Sequence, residues 1–266
     1  MTLAEVIGVL EAAYPPARAE SWDAVGLVCG DPAQPVARVL FAVDPVRAVL
    51  DEAVEWGADL IVVHHPLYLR GTTTVAANTP KGRLIHTLIK HDIALYTAHT
   101  NADVANPGVS DALARAVGLV GDLVPLRPFP DDPWRGLGRV GELPEPVTLE
   151  EFAVAVADGL PKTSWGIRVA GDPSRRVARV AVSGGAGDSL LETARAAGVD
   201  AFLTADLRHH PASEFAEAGG PALIDAAHWA TEWPWLGGAA SILHGGGVNV
   251  ETRVSATVTD AWTRGY

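Results

Sequence analysis

Val39-Leu-Phe-Ala-Val43, a helical stretch, and then Ala58-Asp-Leu-Ile-Val-Val63 running directly into His64-His65-Pro66 decide the fold. The two apolar runs have the length of buried strands. Between them Val46, Val49, Leu50, Ala53 and Val54 recur at helical spacing up to Trp56, and Gly57 supplies a helix stop. The segment is therefore a strand-helix-strand unit whose last strand ends on two histidines. Working outward, a helix is expected from near Leu84 to Lys90 and a short strand at Ile93-Ala-Leu-Tyr96, followed by Ala98-His99-Thr-Asn-Ala-Asp103.

The same order returns later in the chain. Val180-Ala-Val-Ser183, a helix over 189–197 and Val199-Asp-Ala-Phe-Leu203 precede His209-His210-Pro211, and strand Ala222–Asp225 precedes Ala227-His228-Trp-Ala-Thr-Glu232. Two copies of one supersecondary pattern make a pseudo-symmetric pair. The expectation is α/β architecture in two related halves with mainly parallel or mixed sheets, and a metal site between them. The stretch between Pro125 and Pro146 is rich in Pro and Gly. It is the expected boundary, giving residues 1–125 and 126–266, with the tail strand in Gly247–Val258 able to pair with the first half.

Composition narrows the chemistry. The formal charge of -12 and the scattered basic residues argue against binding a phosphate backbone, so nucleic acid is not an expected partner. Cys29 is the only cysteine, which excludes an intrachain disulfide and any thiolate cluster, so metal ligands must be nitrogen and oxygen. Residues 1–10 read as an amphipathic helix rather than a signal peptide, and no apolar run has the length of a membrane span. A soluble cytoplasmic chain is expected.

The duplicated pattern offers His64, His65, His99, Asp103, His209, His210, His228 and Glu232 as candidates. Consecutive side chains on a strand point to opposite faces, so His64 and His65 would serve different ions of a two-metal centre from the end of their strand. Pro234 places a helix start near Thr231, which would leave His228 at a strand end and Glu232 at a helix N-terminus. Asp103 is expected at a similar position, with Asn106 and Pro107 marking the next helix. His86, His91 and His244 fall outside the duplication. Asp44 reads first as a helix cap and second as a carboxylate that orients a histidine. Ser183-Gly-Gly-Ala-Gly187 lacks the spacing of a nucleotide fingerprint and reads first as a tight strand-to-helix turn. Cys29 reads as a small buried apolar residue, and Trp22, Trp229, Trp233 and Trp235 as core or subunit contacts.

Ser21-Trp22-Asp23-Ala24-Val25-Gly26-Leu27, His64-His65-Pro66, His99-Thr-Asn-Ala-Asp103, Thr204-Ala205-Asp206 leading to His210, and Asp225-Ala-Ala-His228 through Thr231-Glu232 occur in an order that resembles the Nif-three-like dinuclear metal-centre family, homologues of GTP cyclohydrolase I type 2. The resemblance implies a toroidal homohexamer with two divalent ions per subunit, zinc, iron or manganese. It implies His64, His65, Asp103, His228 and Glu232 as ligands, with Glu232 shared. His99, Asn101, His209 and His210 would then be supporting groups or proton carriers, and His99 and His210 are the catalytic candidates. Ala24 stands where many relatives carry Asn, and the inserted domain of longer relatives is missing. Two functions compete: a metal-dependent hydrolase of a small nucleotide or phosphorylated substrate, and a non-enzymatic metal-bearing regulatory or scaffold ring.

Overall fold

The structure is a computed structural model that describes residues 1–266. The chain opens with α1 (Leu3–Ala13), β1 (Gly26–Cys29), β2 (Arg38–Ala42), α2 (Arg47–Trp56), β3 (Leu60–Val63), α3 (Pro80–Lys90), β4 (Ala94–Thr97) and α4 (Thr100–Asp103). It continues through α5 (Val109–Ala116), β5 (Val120–Val124), β6 (Arg127–Phe129), β7 (Asp132–Leu137), β8 (Arg139–Thr148), α6 (Leu149–Gly159), β9 (Ile167–Ala170) and β10 (Arg176–Ala186). It closes with α7 (Leu191–Ala196), β11 (Ala201–Ala205), α8 (His209–Glu217), β12 (Ala222–Ala226), α9 (His228–Glu232), α10 (Trp235–Gly245) and β13 (Glu251–Val254). Two compact units result, one from Met1–Ala102 with Leu236–Thr259, the other from Asp103–Trp235 with Asp260–Tyr266.

The first unit holds a sheet of order β1-β4-β3-β2-β13. Neighbours among β4, β3, β2 and β13 run parallel, and β1 is antiparallel to β4. Every residue of β3 and β4 is buried, which is why those strands read as unbroken apolar runs without alternation. Leu40, Leu50, Ala53, Ile61, Val63, Leu88 and Leu95 form the core that α2 and α3 share with the sheet. Gly57 ends α2 in the left-handed conformation, φ 71°, and its N–H bonds the Ala53 and Val54 carbonyls. The tail strand joins this unit, with Glu251 to Val254 beside Arg38 to Phe41.

The second unit holds a mixed sheet of order β5-β8-β10-β11-β12-β9 and a separate hairpin, β6-β7. Its parallel centre, β10-β11-β12 with α7 and α8 as crossovers, repeats the connectivity of β2-β3-β4 with α2 and α3. The fold class is therefore the expected one. The Pro- and Gly-rich stretch after Pro125 differs from expectation, since it forms β6, β7 and β8 inside the second unit and the units divide after Ala102. Its prolines are accommodated where the ladder is loose. Pro128 lies in the two-stranded hairpin, while Pro144 and Pro146 fall where the β8–β10 register shifts. Gly136 is required there, because a Cβ on it would lie 2.2 Å from the Arg127 carbonyl oxygen. No helix is long and apolar enough to cross a membrane.

Candidate metal centre

In the first unit the parallel strands end on the candidate residues, as α/β sheets usually arrange their ligand sites. His64 and His65 follow the last residue of β3, and their N–H groups bond the Val43 carbonyl, extending the pairing beyond the strand. His99 follows β4 by one residue of loop, Ala98. Backbone continuity alone would send neighbouring histidines to opposite faces, but at the strand end the three rings gather. Centroids are 5.2 Å apart for His64–His65, 5.1 Å for His64–His99 and 5.6 Å for His65–His99. One ring nitrogen from each lies within 4.8 Å of the others, a spacing one cation can span.

Each imidazole is oriented through the same nitrogen. His64 Nδ1 donates to the Ala98 carbonyl at 2.9 Å, His65 Nδ1 to Asp44 Oδ1 at 2.7 Å and His99 Nδ1 to Asp23 Oδ1 at 2.9 Å. A carbonyl or carboxylate accepts only, so Nδ1 carries a proton in all three, and Nε2 is the nitrogen through which such a ring would ligate a metal. Asp44 is thus the carboxylate that orients His65 and not a helix cap. The N-cap of α2 is Val46, without a side-chain bond, and the second Asp44 oxygen accepts from Thr259 Oγ1. Burial would raise the Asp23 carboxyl, but hydrogen bonds from His99 and Thr100 outweigh it and hold the group well below the usual carboxylate range. Asn101 is buried and pins the loop instead of facing a ligand, accepting from the His99 N–H and donating to the Tyr14 carbonyl. Trp22 is exposed and stands edge-on to His99, with centroids 6.0 Å apart.

The second unit presents a different pair. His228 and Glu232 share one face of α9, with His228 Nε2 3.0 Å from Glu232 Oε1, while His228 Nδ1 bonds Asp206 Oδ2 at 2.7 Å. Both residues are helical, which corrects the expectation that the helix starts near Thr231. Pro234 instead separates α9 from α10, a place where its missing N–H costs nothing. Glu232 accordingly lies at the C-terminal end of α9, and Asp103, half-buried, at that of α4, so neither acid sits at a helix N-terminus. Burial opposes a charged His228, yet Glu232 and Asp206 prevail and raise it to about 11 in the metal-free chain.

The Ser183–Gly187 segment explains its own glycines. A Cβ on Gly185, whose φ is +67°, would come within 2.7 Å of Glu232 Oε1 and 3.1 Å of His228 Nε2. The Gly185 N–H is committed to Thr231 Oγ1 at 2.9 Å, and Thr204 Oγ1 donates to the Gly185 carbonyl. Gly185 thus makes room for the His228–Glu232 pair, while a Cβ on Gly187 would lie 2.1 Å from Thr204 Oγ1.

His209 and His210 do not follow the first-unit pattern. They open helix α8, are exposed, and contact each other with centroids 5.2 Å apart. His86, His91 and His244 are exposed and outside both groups. Cys29 is half-buried against the first core, and burial pushes its thiol upward. Asp23 and Asp206 had no role assigned from sequence. Their only signals were Asp23 in the Trp-Asp segment and Asp206 just before the second His-His-Pro.

The sequence profile of Duf34/NIF3 (NGG1p interacting factor 3) matches residues 1–261. A Streptomyces coelicolor protein named GTP cyclohydrolase 1 type 2 homolog is 64% identical over 268 residues, covering 98% of this chain and 93% of its own. A Mycobacterium tuberculosis protein of the same name is 41% identical over an alignment of 367 positions, which this 266-residue chain fills only in part, covering 98% of this chain and 96% of its own. Among solved structures, a Staphylococcus aureus hypothetical protein superposes with a TM-score of 0.90 at 30% identity, covering 99% of both chains.

Proposed function

The chain belongs to the Duf34/NIF3 family, and from that premise we propose that it binds two divalent metal ions and hydrolyses a small nucleotide or phosphorylated substrate, in the manner its relatives' name suggests. The observation that carries this reading is the gathering of His64 and His65 beside His99 at the strand ends, with His64 and His65 held through Nδ1 so that Nε2 is the atom offered to a metal. Imidazoles from His64, His65 and His228 with carboxylates from Asp103 and Glu232 are a nitrogen and oxygen donor set that fits zinc, iron or manganese. We assign His64 and His65 from the first unit, and Asp103, His228 and Glu232 from the second, as ligands. Bound divalent ions supply Lewis acidity and lower the pKa of water for attack on an electrophilic carbon or phosphorus.

The remaining roles belong to the chain itself. Asp44 and Asp206 fix the rings of His65 and His228, and Asp23 fixes that of His99, which stands beside the rings of His64 and His65 as a proton carrier. His210 is the second proton carrier in this assignment. Assembly as a homohexamer completes the proposal.

The test is elemental analysis of anaerobically purified protein beside the Glu232→Ala variant. About two metal atoms per chain, falling by at least one on substitution, is the expected result. No metal in either protein after reconstitution overturns the reading and leaves a binding scaffold in its place.

A further inference from the structure

A cleft of about 480 Å³ opens on the first unit beside His65. Pro45, Val46, Leu67 and Leu84 give it an apolar floor, and the same four residues line a narrow recess reaching Leu50 and Leu88. Its remaining walls reverse the character of the chain. Arg47 enters from the first position of α2, and Lys81 and Arg83 from the first turn of α3, and neither first turn carries an acid. Three cations thus line one cleft of a protein whose formal charge is -12.

The one lining carboxylate, Asp44, is occupied by His65 Nδ1 and Thr259 Oγ1. The cations keep donors to spare. Arg47 uses Nε in an exposed pair with Asp51, Arg83 uses one Nη on the Ala77 carbonyl, and Lys81 gives one proton to the Leu67 carbonyl. An exposed i,i+4 pair such as Arg47–Asp51 is weak and yields readily to a better acceptor.

We propose that this cleft binds the phosphoryl group of an organic phosphate, with the phosphate among Arg47, Lys81 and Arg83 and the apolar part of the molecule on the floor towards His65. A phosphate monoester brings close to two negative charges and three acceptor oxygens, which match three cations better than a carboxylate does. The outset of two helices at the cleft adds potential of the same sign. A polyanion does not fit, because the cationic lining ends with the cleft and the chain is acidic. As a statement about substrate class the proposal rests on the hydrolytic reading; as a binding site it does not.

The experiment is calorimetric titration of the full chain with phenyl phosphate, phenol and inorganic phosphate, before and after metal removal with a chelator. Phenyl phosphate is expected to bind more tightly than either fragment in both forms. The Arg47→Ala/Arg83→Ala variant, altered only at exposed side chains, should weaken it about tenfold with metal content unchanged, and Lys81→Ala should do the same separately. Binding that vanishes with the metal, or that neither variant weakens, overturns the cleft. A protein that takes up no metal on reconstitution yet binds phenyl phosphate through these residues keeps the cleft and refutes the metal reading, so the two failures are distinguishable.

Discussion

The tripeptide His-His-Pro occurs in each unit with opposite fates. His64-His65-Pro66 starts at the residue after β3, so His64 is buried and both rings join His99. His209-His210-Pro211 starts four residues after β11, inside the first turn of α8, and both rings are exposed. The residue that directly follows β11 is Asp206, held at φ 56° and bonded to His228. The end of the strand, and not the tripeptide, is what gathers the histidine rings of the first unit.

The comparison breaks most visibly at the histidines themselves. His65→Ala should lose at least one metal atom per chain, whereas His210→Ala should keep the wild-type content; equal metal in the two variants would mean that burial at the strand end confers nothing. Next in size is the orienting carboxylate. Asp44→Ala should weaken metal binding by about 10- to 100-fold while the chain stays folded, measured by competition with a chromophoric chelator.

The second unit's glycine sharpens the contrast between a crowded and an open position. Gly185 and Gly166 both have φ near +66°, but only Gly185 has Glu232 and His228 against it. Gly185→Ala should cost about 1–3 kcal/mol and Gly166→Ala about 1 kcal/mol in denaturant melts. Equal losses would show that backbone conformation alone selects glycine there.

The pairing of His228 with two carboxylates shows in the pH dependence of the metal-stripped chain. His228 rises from 6.5 to about 11 on folding, so its charged form stabilises the native state. That contribution is complete below about pH 6.5 and is lost as the pH climbs through 11. The gap in thermal stability between wild type and His228→Gln should therefore narrow with rising pH, and a widening gap would contradict the pairing with Glu232 and Asp206.

What could be read from the sequence was local. The runs that became β2, β3 and β4 announced themselves as buried strands because parallel sheets bury both faces, and Gly57 announced the end of α2. His228 and Glu232 are legible as an i,i+4 pair, but Pro234 suggests a helix start near Thr231, three residues after α9 begins at His228. The orienting carboxylates were harder to see. Asp23 meets His99 across 76 positions, Asp44 meets His65 across 21 and Asp206 meets His228 across 22, and those meetings are set by strand order. The Pro- and Gly-rich segment misled for a related reason, since its breakers serve a hairpin and a register shift that only the assembled sheet defines.

The return of β13 to β2 has a consequence for the order in which the protein can be made. A ribosome emits Arg38–Ala42 more than two hundred residues before its neighbour Glu251–Val254. Throughout that interval the nascent first sheet carries a bare edge on a buried strand, the kind of surface that recruits stray strands. Nearly all of the second unit has meanwhile emerged and is free to fold first, because its sheet is complete by Ala226. Completion of the first unit is thus a late event in biosynthesis, and truncation before Glu251 would leave β2 as an adhesive edge.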